Sequence, residues 1–190
     1  MKRPFAVALT GGIAAGKSEA LAAFARHGAA VISSDDVVHR LYREDAGLQA
    51  ALRGRWGDRV FRDGEIDREE IGRIVFADRA ELAWLEAELH PRTRAATDEW
   101  LSEQTADVVV AEIPLLYETG GEARFDRVVV VTAPPDVRQA RRGALADREQ
   151  RLVPEEEKVR RGDFVYVNDG SLEELDAFVA EVLEELRAPP

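Results

Sequence analysis

The chain has 190 residues, of which 45% are hydrophobic, and a formal charge of −11. That is enough for one packed domain with an inserted lobe, and it argues against general attraction to nucleic acid or an anionic membrane. The absence of cysteine excludes disulfides and thiolate metal sites, and no apolar stretch approaches the roughly 20 residues of a membrane span. With only residues 1–4 ahead of the first apolar run there is no room for a secretion signal, so the expected location is the cytoplasm.

The first element is a short apolar, β-prone run over 5–10. Gly-Gly-Ile-Ala-Ala-Gly-Lys-Ser follows at Gly11–Ser18, and then an Ala/Leu-rich stretch that reads as helix. This is the G-x-x-x-x-G-K-[ST] pattern in the strand–loop–helix context it requires. Glycines let consecutive main-chain N–H groups turn inward around a polyphosphate, and the helix start adds partial positive charge. Gly12, Ile13, Ala14, Ala15, Gly16, Lys17, Ser18 and Glu19 are therefore expected to hold ATP. In this pattern Lys17 pairs with the β/γ-phosphates, and Ser18 with Mg2+. The lysine is conspicuous, because Lys2, Lys17 and Lys158 are the only lysines among 26 basic residues.

A second strand-like run covers 29–33. About 70 residues without a convincing strand come next, with helical periodicity over 35–52, 67–77 and 79–104. Asp63-Gly64 marks a turn, and His90-Pro91 is expected to divide the third pattern into two helices. So long an insertion should be a helical lobe. Further strands are expected over 107–113, 126–132 and 164–167. Their valines are consecutive rather than alternating, as in parallel strands covered on both faces. Residues 136–161 are charged, Arg-rich and read as helical. The final helix opens with a Ser171/Glu174 capping box and carries a stripe of Leu172, Leu175, Phe178, Val179, Val182, Leu183 and Leu186. The fold expected is an α/β three-layer P-loop NTPase fold with a parallel five-stranded sheet. Its core takes in about 1–34 and 105–190, the helical insertion about 35–104, and a short lid about 136–161.

A phosphate loop alone leaves GTPases, ATPases and small-molecule kinases open. No lysine follows an asparagine, so the Asn-Lys-x-Asp guanine signature is missing. A chain near 200 residues with a helical insertion and an Arg-rich late segment suits nucleotide and metabolite kinases, in which a lid closes over ATP. Five segments then narrow the class: Thr10–Ser18, Val31-Ile-Ser-Ser-Asp35, Leu89-His-Pro91, Ile113-Pro-Leu-Leu-Tyr-Glu118 and Asn168-Asp-Gly-Ser-Leu-Glu-Glu-Leu175. In that order they closely resemble the dephospho-coenzyme A kinase family, over residues 5–187. The resemblance implies transfer of the ATP γ-phosphate to the ribose 3′-hydroxyl of dephospho-coenzyme A. The sequence does not give the oligomeric state, a monomer being the expectation; charge and hydropathy point to no nucleic-acid or membrane partner. The competing readings are another small-metabolite or nucleoside monophosphate kinase, and a degenerate nucleotide-binding regulatory protein.

Asp35, after the second strand, lies where open α/β sheets bind ligands. It is placed to take the acceptor's proton or orient its hydroxyl, and equally to cap a helix; the resemblance implies the catalytic role. The family usually has Asp-x-Asp where this chain has Ser33-Ser34-Asp35. Glu112 ends a buried strand and is a magnesium candidate alongside Ser18; the family more often has Asp there. By resemblance His90, Leu116 and Glu118 lie near the acceptor, whereas a histidine at a helix break and a packed turn are the plainer readings. Arg148 matches a lid arginine expected to stabilise the transferring phosphoryl group, with Arg138, Arg141 and Arg142 as alternatives to it and a solvated helix face as the plain reading. The segment from Arg138 to Pro154 is several residues shorter than the family's. Asn168 is expected at the adenine end of ATP, or as part of the turn before the last helix.

Overall fold

A computed structural model of the chain describes residues 3–142 and 152–188. The chain divides into two compact units, 1–33 with 101–190, and 34–100.

The first unit is built on β1 (Phe5–Gly11), β2 (Ala30–Ser33), β5 (Val108–Glu112), β6 (Arg127–Thr132) and β7 (Phe164–Val167). They form one sheet in the order β2-β5-β1-β6-β7, with every pairing parallel. The valine runs behave as expected of strands covered on both faces, since Val108–Ala111 and Val128–Val131 are all buried. Within each run the faces still alternate. Val7, Leu9, Val108, Val110, Val129 and Val131 pack with Phe24 of α1 (Lys17–Arg26) and with Leu175, Val179, Val182 and Leu183 of the C-terminal helix. Ala8, Val128 and Val130 pack on the other side against Leu116, Tyr117, Val153 and Val159. The result is a three-layer α/β sandwich. The C-terminal helix, Leu172–Arg187, has the full capping box between Ser171 and Glu174. Of its apolar stripe, Leu172 departs: it is 63% exposed, on the helix's first turn.

The second unit holds α2 (Ser34–Glu44), α3 (Ala46–Trp56), β3 (Phe61–Arg62), β4 (Glu65–Ile66), α4 (Arg68–Ala77) and most of α5 (Arg79–Glu103). Tyr42, Leu48, Leu52, Trp56, Val60, Ile71, Val75 and Leu85 make its own core. The Trp56 ring meets Trp84 edge-on at 5.0 Å, and its indole N–H donates to Glu81 at 2.8 Å.

Three expectations are corrected here: one helix over 35–52, an insertion without a strand (the Asp63-Gly64 turn itself is where it was expected), and a helix break at His90-Pro91. The helical pattern over 35–52 is two helices, divided at Asp45, whose carboxylate accepts from Leu48 N at 2.8 Å and caps α3. The Asp63-Gly64 turn joins a two-stranded hairpin, with φ of 54° and 87°, the left-handed pair that twists with its strands. Helix α5 runs unbroken through Pro91. Proline removes one N–H, and the residues around the gap, Ala87, His90 and Pro91, are exposed, so water can take the freed carbonyl.

Two helices flank the undescribed stretch: α6 (Pro135–Arg142) and α7 (Glu155–Arg161). The C-terminal helix is α8. Among the described residues no helix is long and apolar enough to cross a membrane.

Candidate active site

Strand β1 ends in the middle of the sheet, and its last residue, Gly11, has φ 151°. The chain then turns through Ala14 (φ 58°) and Gly16 (φ 100°), with Ala15 N donating to Gly12 O at 3.3 Å. Helix α1 begins at Lys17, and no side chain caps it. The first-turn N–H groups thus have no capping side chain, at the positive end of the helix dipole. Such a turn is built for an anion. Lys17 folds back over it, donating to Gly12 O at 2.9 Å and Gly11 O at 3.4 Å. Ser18 and Glu19 are exposed on the first turn.

Asn168 is 7% exposed and donates from Nδ2 to Ala15 O at 2.8 Å, while its own N–H donates to Thr132 O at 2.7 Å. It braces the loop from the next strand but one. The sequence carried only its family position, and nothing there pointed to this hydrogen bond.

Over Gly12 lies a polar group of which the sequence singled out only Arg138, as an alternative to Arg148. Arg138 donates from Nε to Ala133 O at 3.0 Å and pairs with Glu155 at 2.9 Å. Thr132 Oγ1 donates to the same carboxylate. A methyl group placed on Gly12 would lie 2.9 Å from Glu155 Oε1 and 3.3 Å from Arg138 Nη1. Arg138 and Glu155 therefore border the phosphate loop, drawn there from the two helices that flank the undescribed segment. Arg148 lies outside the described residues, as do the side chains of Arg141 and Arg142.

Glu112 closes β5 at the carboxyl edge of the sheet, 8% exposed, opposite Leu9 on one side and Ser33 on the other. Leu116 is completely buried, packed with Ala8 and Val130, so its side chain belongs to the core. Glu118 accepts from Val153 N at 2.9 Å and faces the Lys158 ammonium at 2.8 Å. Beside it, burial pushes the Tyr117 phenol up from its ordinary range, and the Arg161 guanidinium lies 4.1 Å from that ring's centre. Asp35 and His90 belong to the second unit. Asp35 is exposed in the first turn of α2, and His90 is exposed within α5 rather than at a helix end. Loop, Glu112, Asn168, Arg138 and Glu118 thus belong to one unit.

A parallel sheet of this order with a glycine-rich loop between its central strand and first helix defines a P-loop phosphotransferase of the small-molecule kinase class. The dephospho-CoA kinase (CoaE) family model matches residues 5–174. The dephospho-CoA kinase of Mesorhizobium japonicum is 41% identical over 192 residues, which cover 94% of this chain and 95% of the relative. Among solved structures, TT1252 from Thermus thermophilus superposes with a TM-score of 0.81 at 36% identity, covering 98% of this chain and 100% of the other. The dephospho-CoA kinase from Campylobacter jejuni gives a TM-score of 0.69 at 25% identity, covering 97% and 98%. The chain belongs to the dephospho-CoA kinase family.

Proposed function

We propose that this protein transfers the γ-phosphoryl group of ATP to the ribose 3′-hydroxyl of dephospho-coenzyme A, giving coenzyme A and ADP. The observation that carries the reading is the uncapped start of α1 under Lys17 in a chain of this family. Gly12–Glu19 hold the triphosphate through main-chain N–H groups, and Lys17 leaves its carbonyl partners for the β/γ-oxygens. Asn168 keeps the loop in that shape from beneath. As the bond from the γ-phosphorus to the bridging oxygen breaks, a bond forms to the 3′-oxygen, and Asp35 accepts or orients the hydroxyl proton. Arg138 and Arg148 are the arginines we assign to the charge on the transferring group. His90 is assigned to the acceptor's lobe. Leu116 and Glu118 act behind the surface, by packing and by an ion pair.

Magnesium fits the residues present. Among the described residues no group of three or more His, Asp or Glu forms a metal cage. The donor set is one exposed hydroxyl, Ser18, and one mostly buried carboxylate, Glu112, which suits an ion that keeps waters and phosphate oxygens as ligands. When bound it would neutralise charge on the β- and γ-oxygens. The reading also carries a cytoplasmic, monomeric working form.

An acceptor panel with ATP and magnesium tests the proposal. Dephospho-coenzyme A should be strongly preferred over nucleoside monophosphates and shikimate. Lys17→Ala should lower turnover by about a thousandfold or more while the urea midpoint stays near that of the parent chain. Preference for another acceptor, or near-normal turnover without Lys17, would falsify the assignment.

A further inference from the structure

Lys158 is a buried charge that the phosphate chemistry described above leaves unused. Its side chain is 1% exposed, and its ammonium lies 2.8 Å from Glu118 Oε1, off the line of a good hydrogen bond, so an ion pair joins them. Glu118 Oε2 is buried without a hydrogen-bond partner. The residues next to the pair in sequence, Tyr117 and Val159, belong to the apolar cluster of Ala8, Leu116, Val128 and Val130. Taking an ammonium out of water costs several kcal/mol, and a well-packed methionine would fill the space without that cost. Stability alone does not account for the pair.

Its placement does. The same Glu118 oxygen that faces Lys158 also accepts the N–H of Val153, two residues before α7 begins. One carboxylate on the turn after β5 therefore fixes both the approach to α7 and the helix itself. Glu155, three residues before Lys158 and so on a neighbouring face of the same turn, holds Arg138 at 2.9 Å and borders Gly12. Any shift of α7 moves Glu155, and with it the guanidinium at the phosphate loop. We propose that Glu118 and Lys158 form a buried latch that positions Arg138 at the phosphate loop, acting on phosphoryl transfer through α7 without touching either substrate. Glu118 and Lys158 are then positioning residues. The latch rests on the kinase reading above, through the role given there to Arg138.

The test is a double-mutant cycle on the full chain, with ATP, magnesium and dephospho-coenzyme A. The variants are Glu118→Gln/Lys158→Met, which removes both charges and keeps an acceptor for Val153, Arg138→Ala, and all three changes together. Because both ions go at once, the urea midpoint should stay near the parent value. The kcat should fall by about tenfold while KM for ATP moves less than about threefold. Arg138→Ala should cost about a hundredfold in the parent chain but only about tenfold in the latch variant, so that the triple variant is no slower than Arg138→Ala alone. A latch variant with parental kcat overturns the proposal, and so does an equal cost of Arg138→Ala in both backgrounds. Should the double variant unfold, Glu118→Asp, which keeps both charges but shortens the reach to Lys158 and Val153, carries the same comparison, with the same two outcomes. If the parent chain prefers a different acceptor, the functional reading fails, and the cycle, run with that acceptor, still decides the latch.

Discussion

Two neighbouring glycines at the start of the phosphate loop should respond to alanine in opposite ways. At Gly11 an added methyl would fall inside the shell of the Val131 carbonyl oxygen, with Val131 C at 2.9 Å and Val131 N at 3.2 Å. These are main-chain atoms of the neighbouring strand β6, registered to Gly11 itself, and cannot step aside without opening the sheet. Overpacking of this kind costs about 1–3 kcal/mol. The φ of 151° adds strain of about 1–3 kcal/mol for any side chain. Together, about 2–6 kcal/mol is a large part of the roughly 5–15 kcal/mol that holds a domain folded. At Gly12 the nearest atoms are the ends of the Glu155 and Arg138 side chains, which can swing away. Gly12→Ala should therefore cost under about 1 kcal/mol in stability, yet disturb Arg138 and lower kcat. Urea denaturation followed by circular dichroism, with the m-value as a check on two-state behaviour, measures the first effect; steady-state kinetics measures the second. If Gly11→Ala stays within about 0.5 kcal/mol of the parent, or Gly12→Ala proves the less stable of the two, the packing argument is refuted.

Asp35→Asn should reduce kcat far more than it raises KM for dephospho-coenzyme A, because the carboxylate acts on the reacting hydroxyl; a change in KM alone would leave Asp35 as a binding group. Ser171→Ala removes the acceptor for Glu174 N, 3.2 Å away, and should lower the stability of the first unit by about 1 kcal/mol with kcat unchanged, read as a shift in urea midpoint. Burial pushes the Tyr42 phenol up to about 12. The folded chain therefore holds that proton more tightly than the unfolded chain. The benefit is intact below pH about 10 and is lost as pH rises toward 12, up to about 3 kcal/mol. Tyr42→Phe should flatten that part of the alkaline denaturation profile, and an unchanged slope would show that the phenol stays ionisable in the fold.

The sheet was legible because a strand covered on both faces leaves its mark in one short window: Val108–Val110 and Val128–Val131 need no partner to be recognised. The phosphate loop was legible for the same local reason, since Gly11, Gly16 and Lys17 are fixed by backbone geometry and charge within eight residues. What local pattern could not supply is whatever depends on a distant neighbour. Asp45 looks like any helical surface acid until its carboxylate turns to Leu48 N. Pro91 reads as a breaker because its solvent-facing position, which lets the helix continue, is decided by tertiary packing. Glu155 and Lys158 sit in one charged run, and nothing in its composition separates the acid that meets Arg138 from the amine that α7 turns inward to Glu118. Asn168 was flagged by its family position, but the carbonyl it braces is 153 residues away.

The near-complete enclosure of Lys158 has a practical side. The chain has three lysines, and this one is shut away from solvent, so an acylating reagent in water meets little beyond Lys17 and the amines at the N-terminal end. Amine modification read residue by residue then has only Lys17 to separate from the N-terminal end. A bound triphosphate shielding Lys17 should leave a footprint that needs no engineered label to be seen.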